Sequence, residues 1–290
     1  MNVATVVEIL LAGCMLGALY ALFGLGLSLS LGVMKMINIA HGDLIVLAAY
    51  LSIVAIDAGG LSALWSLVLV IPAMVGFGWL LQMFLLNRVM QRDPLAPLLL
   101  TFGLSVVLQN VLQEIFTADT RSLPSGDIAS QSVTVAGLSV GVLPIVIALV
   151  SVGIYTATSL VIRRTNWGRQ VRAVATDAET ARLVGVNDRM LFAAMTGFTL
   201  AVIAVAGVFY GIRTPFAPTA GPERLLYAFE AVVLGGLGNI WGTFAGGLVI
   251  GIAQVLGTQV NTGLGPFFGH LVFLCGLLAR PQGLFSGAAK

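Results

Sequence analysis

Nine apolar runs divide this chain, at roughly 4–33, 39–57, 62–86, 96–117, 139–162, 190–212, 225–237, 240–258 and 266–280. The clusters of Pro, Asp, Arg and Ser fall between them. Eight runs are long enough for a helix to cross about 30 Å of hydrocarbon, whereas 225–237, short and Gly-rich, is brief for a full crossing. The pattern predicts an all-α polytopic membrane protein of about eight to nine transmembrane segments, with Gly-rich interrupted helices, forming a single transmembrane domain over 1–290.

Composition agrees. Of 290 residues, 58% are hydrophobic and 9% charged, and the mean hydropathy is +1.02, far from soluble averages. No Lys or Arg precedes Lys35. The start therefore lacks a secretory signal's basic n-region, and the first run, too long for an h-region, is expected to stay as a helix. Cys14 and Cys275 lie within apolar runs without a partner at metal or redox spacing, which reads as two buried small hydrophobes. A net charge of +2 is no argument for nucleic acid.

The placement of charge is more informative. Residues 163–189 form the one long polar stretch, holding Arg163, Arg164, Arg169, Arg172, Asp177, Glu179, Arg182, Asp188 and Arg189. If it is cytoplasmic and the runs alternate, Lys35, Arg88, Arg92, that loop's six arginines, Arg280 and Lys290 share its side. Arg121, Arg213 and Arg224 lie opposite. This satisfies the positive-inside rule with the N-terminus outside and the C-terminus inside, provided 225–237 crosses.

Glycines recur through the helical runs, with Gly13, Gly17, Gly24 and Gly26 early and Gly235, Gly236, Gly238, Gly242, Gly246, Gly247 and Gly251 late. Small residues let membrane helices approach backbone to backbone. Two external stretches, 118–138 and 211–224, are rich in turn formers and could be either connectors or a docking rim for a soluble partner.

Within the polar loop, Thr176-Asp177-Ala178-Glu179 has the form of a capping box, Gly185 suits the left-handed position that closes a helix, and Asn187 can cap the next run. A helix over roughly 177–184 is predicted. Val171, Val174, Ala178, Ala181 and Gly185 continue at helical spacing from an upstream turn, with Arg169, Arg172, Asp177 and Glu179 around them. So thin a stripe suits a groove on another protein better than lipid, although a solvated loop would share its charges.

A second cluster, Asn38, His41 and Asp43, interrupts two apolar runs. Such groups either face a water-filled path or serve as caps and first-turn acids. Asn38-Ile39-Ala40-His41-Gly42 is faintly echoed by Asn239-Ile240-Trp241-Gly242, as corresponding halves of an inverted-repeat transporter would be. Glu114 and Asp57 read as interfacial, His270 as a satisfied packing residue, and Glu230 as path-lining or paired.

Three function classes are thereby narrowed. Neither Lys35 nor Lys290 follows a phosphate-binding Gly-rich loop, so any nucleotide chemistry belongs to another subunit. His-Glu-x-x-His is absent and only two histidines occur, which disfavours an intramembrane metalloprotease. An ion-coupled carrier would usually hold its coupling acids within the spans and has no use for a capped, small-faced loop helix.

Glu179-Thr180-Ala181-Arg182-Leu183-Val184-Gly185 resembles the EAA-xxx-G loop of ATP-binding-cassette importer permeases, departing at Thr180. The wider run from Trp167-Gly168-Arg169 to Gly185 is similar to the branched-chain amino acid form of that loop. Gly32-Val33-Met34 through Ile37-Asn38-Ile39-Ala40-His41-Gly42, Leu234-Gly235-Gly236-Leu237-Gly238-Asn239-Ile240-Trp241-Gly242-Thr243 and Arg280-Pro281-Gln282-Gly283-Leu284-Phe285 resemble further signatures of that permease family. The resemblance implies the shorter of two paralogous permeases in a multi-pass bacterial cytoplasmic (inner) membrane assembly. Its expected partners are cytosolic ATP-binding subunits, an extracytoplasmic substrate-binding protein, a second permease subunit and membrane lipid. It further implies no cofactor or metal and no catalysis by this chain. Gly168, Arg169, Arg172, Asp177, Glu179, Ala181, Arg182 and Gly185 would couple to the ATPase. Asn38, His41, Asp43, Gly235, Gly236 and Asn239 would line the substrate path. Branched-chain or related amino acids are the expected cargo, with urea or short amides as the alternative.

Overall fold

The computed structural model describes residues 3–90, 95–124, 126, 131–135 and 138–285. Arg92 and Lys290, both counted in the charge balance, lie outside the described residues, as do parts of 118–138.

Eight helices among the described residues are long and apolar enough to cross a membrane. In chain order, α1 is Val3–Leu29, widening into a π turn over Ser30–Met34, and α2 is His41–Gly59. Helix α3 is Leu67–Leu81, continuing through a π turn to Val89, and α4 is Ala96–Phe116. A short antiparallel hairpin, β1 (Ser132–Val135) and β2 (Leu138–Gly141), pairs Ser132 with Gly141 and leads into α5, Val142–Arg164. The polar loop folds as α6 (Asn166–Thr176) and α7 (Ala178–Leu183). Then follow α8 (Asp188–Arg213), α9 (Gly221–Gly235), α10 (Ile240–Val260) and α11 (Gly265–Ala279).

The halves correspond. Helix α1 packs on α10 as α8 packs on α3, α1 on α9 as α8 on α2, and α2 on α4 as α9 on α11, with α5 left over. The end of α1 at Lys35 lies beside the start of α8 at Asp188 and Arg189, so the two equivalent helices run in opposite senses. This is an inverted repeat, and it revises the echo seen in the sequence. The structural counterpart of the α2 start is the α9 start, where Glu223 matches Asp43 as the first-turn acid. Asn239 instead caps α10, accepting from Gly242 N at 3.0 Å.

Both α2 and α9 begin inside the core. After Lys35, which adopts a left-handed φ of 52°, the chain turns back without helix. It starts α2 only where His41 Nε2 donates to the Phe23 carbonyl at 2.8 Å, about 16 Å back along α1. From the other side, 214–220 folds inward so that Gly221 meets Asp43 and Gly42. Helix α9, 15 residues long, therefore completes only part of a crossing. The folded-back coil and α9 together traverse the core, because Gly238 packs on Gly32 near the end of α1. Leu284 N also donates to Leu234 O at 2.8 Å, which puts the end of α11 on the side of the polar loop. This agrees with 225–237 carrying the chain across.

Glycine sets the closest approach. At Gly17 a Cβ would lie 2.5 Å from the Cα of Leu248 and 2.6 Å from the carbonyl of Gly247, so α1 and α10 touch along their backbones. Two bonds from α5 tie down the same helix, Ser151 Oγ to Ala18 O (3.0 Å) and Tyr155 OH to Ala21 O (2.7 Å). The expectation for the cysteines fails. Cys275 is exposed and Cys14 only half-buried, because both sit on outward faces where apolar contact is left to lipid or another subunit.

Candidate functional site

The polar loop is a two-helix hook. Thr165 opens α6 by accepting from Gly168 N at 3.0 Å, and a Cβ on Gly168 would collide with the Ile162 backbone. The chain breaks at Asp177, whose carboxylate accepts from the amides of Glu179 (3.0 Å) and Thr180 (3.2 Å) and from the Thr180 hydroxyl (2.5 Å). Those bonds hold its carboxyl below the ordinary aspartate range. The capping box read from Thr176 is thus displaced by one residue. Thr176 Oγ1 donates back to Arg172 O at 2.9 Å, so it completes α6 and cannot start α7.

The far end closes as expected. Gly185 has φ 90°, its amide bonds to Arg182 O (3.0 Å), and Val186 N bonds to Ala181 O (3.1 Å), a Schellman closure. Asn187 accepts from Met190 N at 3.2 Å and opens α8.

The small-residue stripe does not face outward. Val171, Val174 and Ala181 are buried against this chain's own helices and Ala178 is half-buried. The arginines are also committed internally. Arg182 donates from Nε (2.9 Å) and Nη2 (2.6 Å) to Asp188, Arg169 to Asn166, and Arg172 to the Ile162 carbonyl. What the hook offers outward is its tip, Leu183 at 87% and Val184 at 76% exposure, beside Glu179. The sequence reading missed these two, although their place just before a helix-closing glycine marks them. A cleft of about 290 Å³ behind the hook is lined by Lys35, Asp177, Glu179, Arg182, Asp188 and Arg189, bringing the end of α1 against the loop.

The expected path residues split into two places. Asn38, His41 and Asp43 are buried within the chain. Gly235 packs on Gly242, Gly236 takes φ 96°, and Asn239 donates to Phe285 O at 3.0 Å, forming the turn between α9 and α10. The structure does not bring the two groups together in one cavity. Helix α4 instead supplies the partners of the first group. Thr101 Oγ1 accepts from Ile39 N at 3.1 Å, and Gln109 Nε2 donates to Asp43 at 3.0 Å and to Ser105 at 3.3 Å. Thr101, Ser105 and Gln109 recur every fourth residue on one face of an apolar helix, a signal present in the sequence and unread. The Oδ1 of Asn38 and Oδ2 of Asp43 have no bonding partner.

The stretch 211–224 is part buried and part exposed, with Pro215, Thr219, Pro222 and Glu223 at the surface. Gly211, Phe216, Pro218 and Gly221 are buried, and Arg121 and Phe216 exchange two backbone bonds of 2.8 Å, joining the two loop stretches. Glu230, 1% exposed, bonds to His270 Nδ1 at 2.6 Å, and the His270 ring stacks on Tyr227. His270 is thereby satisfied. Asp57 and Glu114 are exposed. Among the described residues no group of three His, Cys, Asp or Glu converges on a metal position.

An inverted repeat of membrane helices with two helices starting inside the core, and a capped hook at one face, define a multi-pass transport subunit. The chain belongs to the family of branched-chain amino acid transport system permease components, whose model matches residues 9–276. It is 31% identical over 288 residues to the high-affinity branched-chain amino acid transport system permease protein LivH of Salmonella typhimurium, covering 94% of this chain and 92% of that one. It is 29% identical over 290 residues to the corresponding BraD of Pseudomonas aeruginosa, covering 95% and 94%. A shorter similarity, 40% over 100 residues, links 32% of this chain to 28% of the fructose import permease protein FrcC of Rhizobium meliloti. No solved structure matches the chain significantly. It is a multi-pass inner-membrane protein, and the ATPase of such an importer is a separate subunit.

Proposed function

We propose that this chain is the translocating subunit of an ATP-driven importer of branched-chain amino acids, paired with a second permease, served from outside by a binding protein and driven from inside by ATP-binding subunits. The observation that carries the reading is the hook. Its two helices are capped at every end and its small-residue stripe is locked onto the chain, so the exposed Leu183–Val184 tip is held rigidly where a cytosolic partner can push on it. The similarity to LivH and BraD over more than nine-tenths of the chain supports the cargo class.

Movement of the hook would reach the core through the cleft that holds Lys35, since Lys35 begins the coil that carries Asn38 and leads into His41. Rigid-body use of two packings would then open the path alternately. Reconstituting the chain with its ATPase, second permease and binding protein in vesicles and measuring ATP-dependent uptake of leucine, isoleucine and valine tests this. Uptake of fructose or urea in place of amino acids would reject the cargo, and uptake without ATP would reject the class.

A further inference from the structure

We propose that Arg213 and Arg224 form a carboxylate site in the core, at the end remote from the hook, that receives the α-carboxylate of the transported amino acid; this rests on the reading of the chain as an amino-acid permease. Tyr210 and Arg213 are three residues apart on α8 and share a face. The Arg224 guanidinium, from the first turns of α9, lies 4.7 Å from the Tyr210 ring centroid and 5.6 Å from that of Tyr227. The α8 face that carries Tyr210 and Arg213 thus lies against the start of α9, and Tyr20 of α1 stacks on Tyr227 beside it.

That place has unmet bonding capacity. Nη1 of Arg213 and Nε of Arg224 are closed to solvent and have no hydrogen-bond partner. A buried guanidinium nitrogen without an acceptor is costly, and in a membrane core such groups are retained for what they bind. The one carboxylate bonded to the pair, Glu223 at 2.5 Å from Arg224 Nη2, is itself half exposed. Glu230, further along α9, is engaged by His270. Two cations against one exposed anion leave an excess positive charge.

The chemistry suits a small carboxylate. Guanidinium forks match carboxylates in bidentate fashion, and two of them can grip one. Alongside, Tyr20 and Tyr227 are stacked at 4.5 Å and 6° between planes, with Tyr20 donating to Gln254 Oε1 at 2.5 Å. These buried rings make the surroundings of the two guanidiniums largely apolar, which strengthens any charge pairing made there. Because the unpaired nitrogens are sealed from solvent, a small solute fits better than an acidic side chain of a docking protein.

The test uses the complete importer in vesicles with leucine-loaded binding protein, comparing wild type with Arg213→Gln, Arg224→Gln and the two Arg→Lys variants. The maximal leucine uptake rate of each Gln variant is expected to fall at least about tenfold, with the Lys variants between. The half-saturating concentration of binding protein should stay within about twofold, and the subunits should still co-purify. Unchanged uptake overturns the proposal, and so does a raised half-saturating concentration at normal maximal rate, which would make the pair a docking contact. Should the variants fail to assemble, wild-type complex in detergent decides by equilibrium dialysis with radiolabelled leucine. Displacement by 4-methylpentanoate, which keeps the carboxylate, but not by 3-methylbutylamine, which lacks it, supports the site; the reverse order overturns it. A wild-type importer that moves no amino acid at all would fault the permease reading instead.

Discussion

Gly42 and Gly221, 179 positions apart in the chain, touch backbone to backbone where the two internally starting helices meet. A Cβ on Gly221 would fall on the Asp43 carboxylate, and one on Gly42 on the Gly221 carbonyl. Neither neighbour is a flexible side-chain tip that can swing away, because Asp43 is held by Gln109.

Gly42→Ala and Gly221→Ala should therefore each destabilise the purified protein by about 1–3 kcal/mol. Gly153→Ala, where a Cβ meets nothing within 4 Å, should not. Thermal unfolding in detergent measures all three, and equal melting temperatures would refute the close contact.

Asp177→Ala should unravel the start of α7, seen as faster hydrogen exchange at Glu179 and Thr180, whereas Thr176→Val should leave those amides protected. Acid should mimic the first change. The Asp177 carboxyl is held below the ordinary aspartate range by its bonds to Thr180. Its contribution is thus complete above the pKa of a free aspartate and lost as pH falls through its depressed folded value. Exchange that is insensitive to acid in that range would contradict the cap.

Leu183→Glu and Val184→Glu fall on the most exposed apolar residues of the hook, so the fold should tolerate them. We expect ATPase stimulation and uptake in the reconstituted importer to drop by at least about tenfold, since an apolar contact would be replaced by a desolvated charge. Normal coupling in both would remove the tip from the interface.

His270→Ala strips the buried Glu230 of its partner and should cost more stability than the double change Glu230→Gln, His270→Ala. The expected coupling is about 1–3 kcal/mol, moderated because the His270 side chain is 35% exposed. Additive effects in a thermal or denaturant series would show that the pair contributes nothing beyond its separate members.

The span pattern, the glycine-mediated packing and the closure of the hook at Gly185 were legible in the sequence because each depends on local periodicity or on a single backbone conformation. The cap was misplaced by one residue because Thr176 and Asp177 both suit an N-cap, and only the completed α6 shows that the Thr176 hydroxyl is taken by Arg172. The facing of the Val171–Ala181 stripe was misread for a similar reason. A thin helical face fits a partner's groove or the chain's own helices equally well. The partners of Asp43 on α4, and the pairing of the α2 start with the α9 start, are relations across 66 and more positions that no local pattern records.

The seam between α1 and α10 has a mechanical consequence. With Gly17 facing Gly247 and Gly251 set against Gly13 and Gly17, sliding one helix along the other would force carbonyls over Cα atoms, so the two behave as a single strut. A change of shape that leaves this strut intact has to be absorbed outside it, and the connections at 35–40 and 214–220, which enter the core beside it, are the places where the backbone can turn without breaking a long helix.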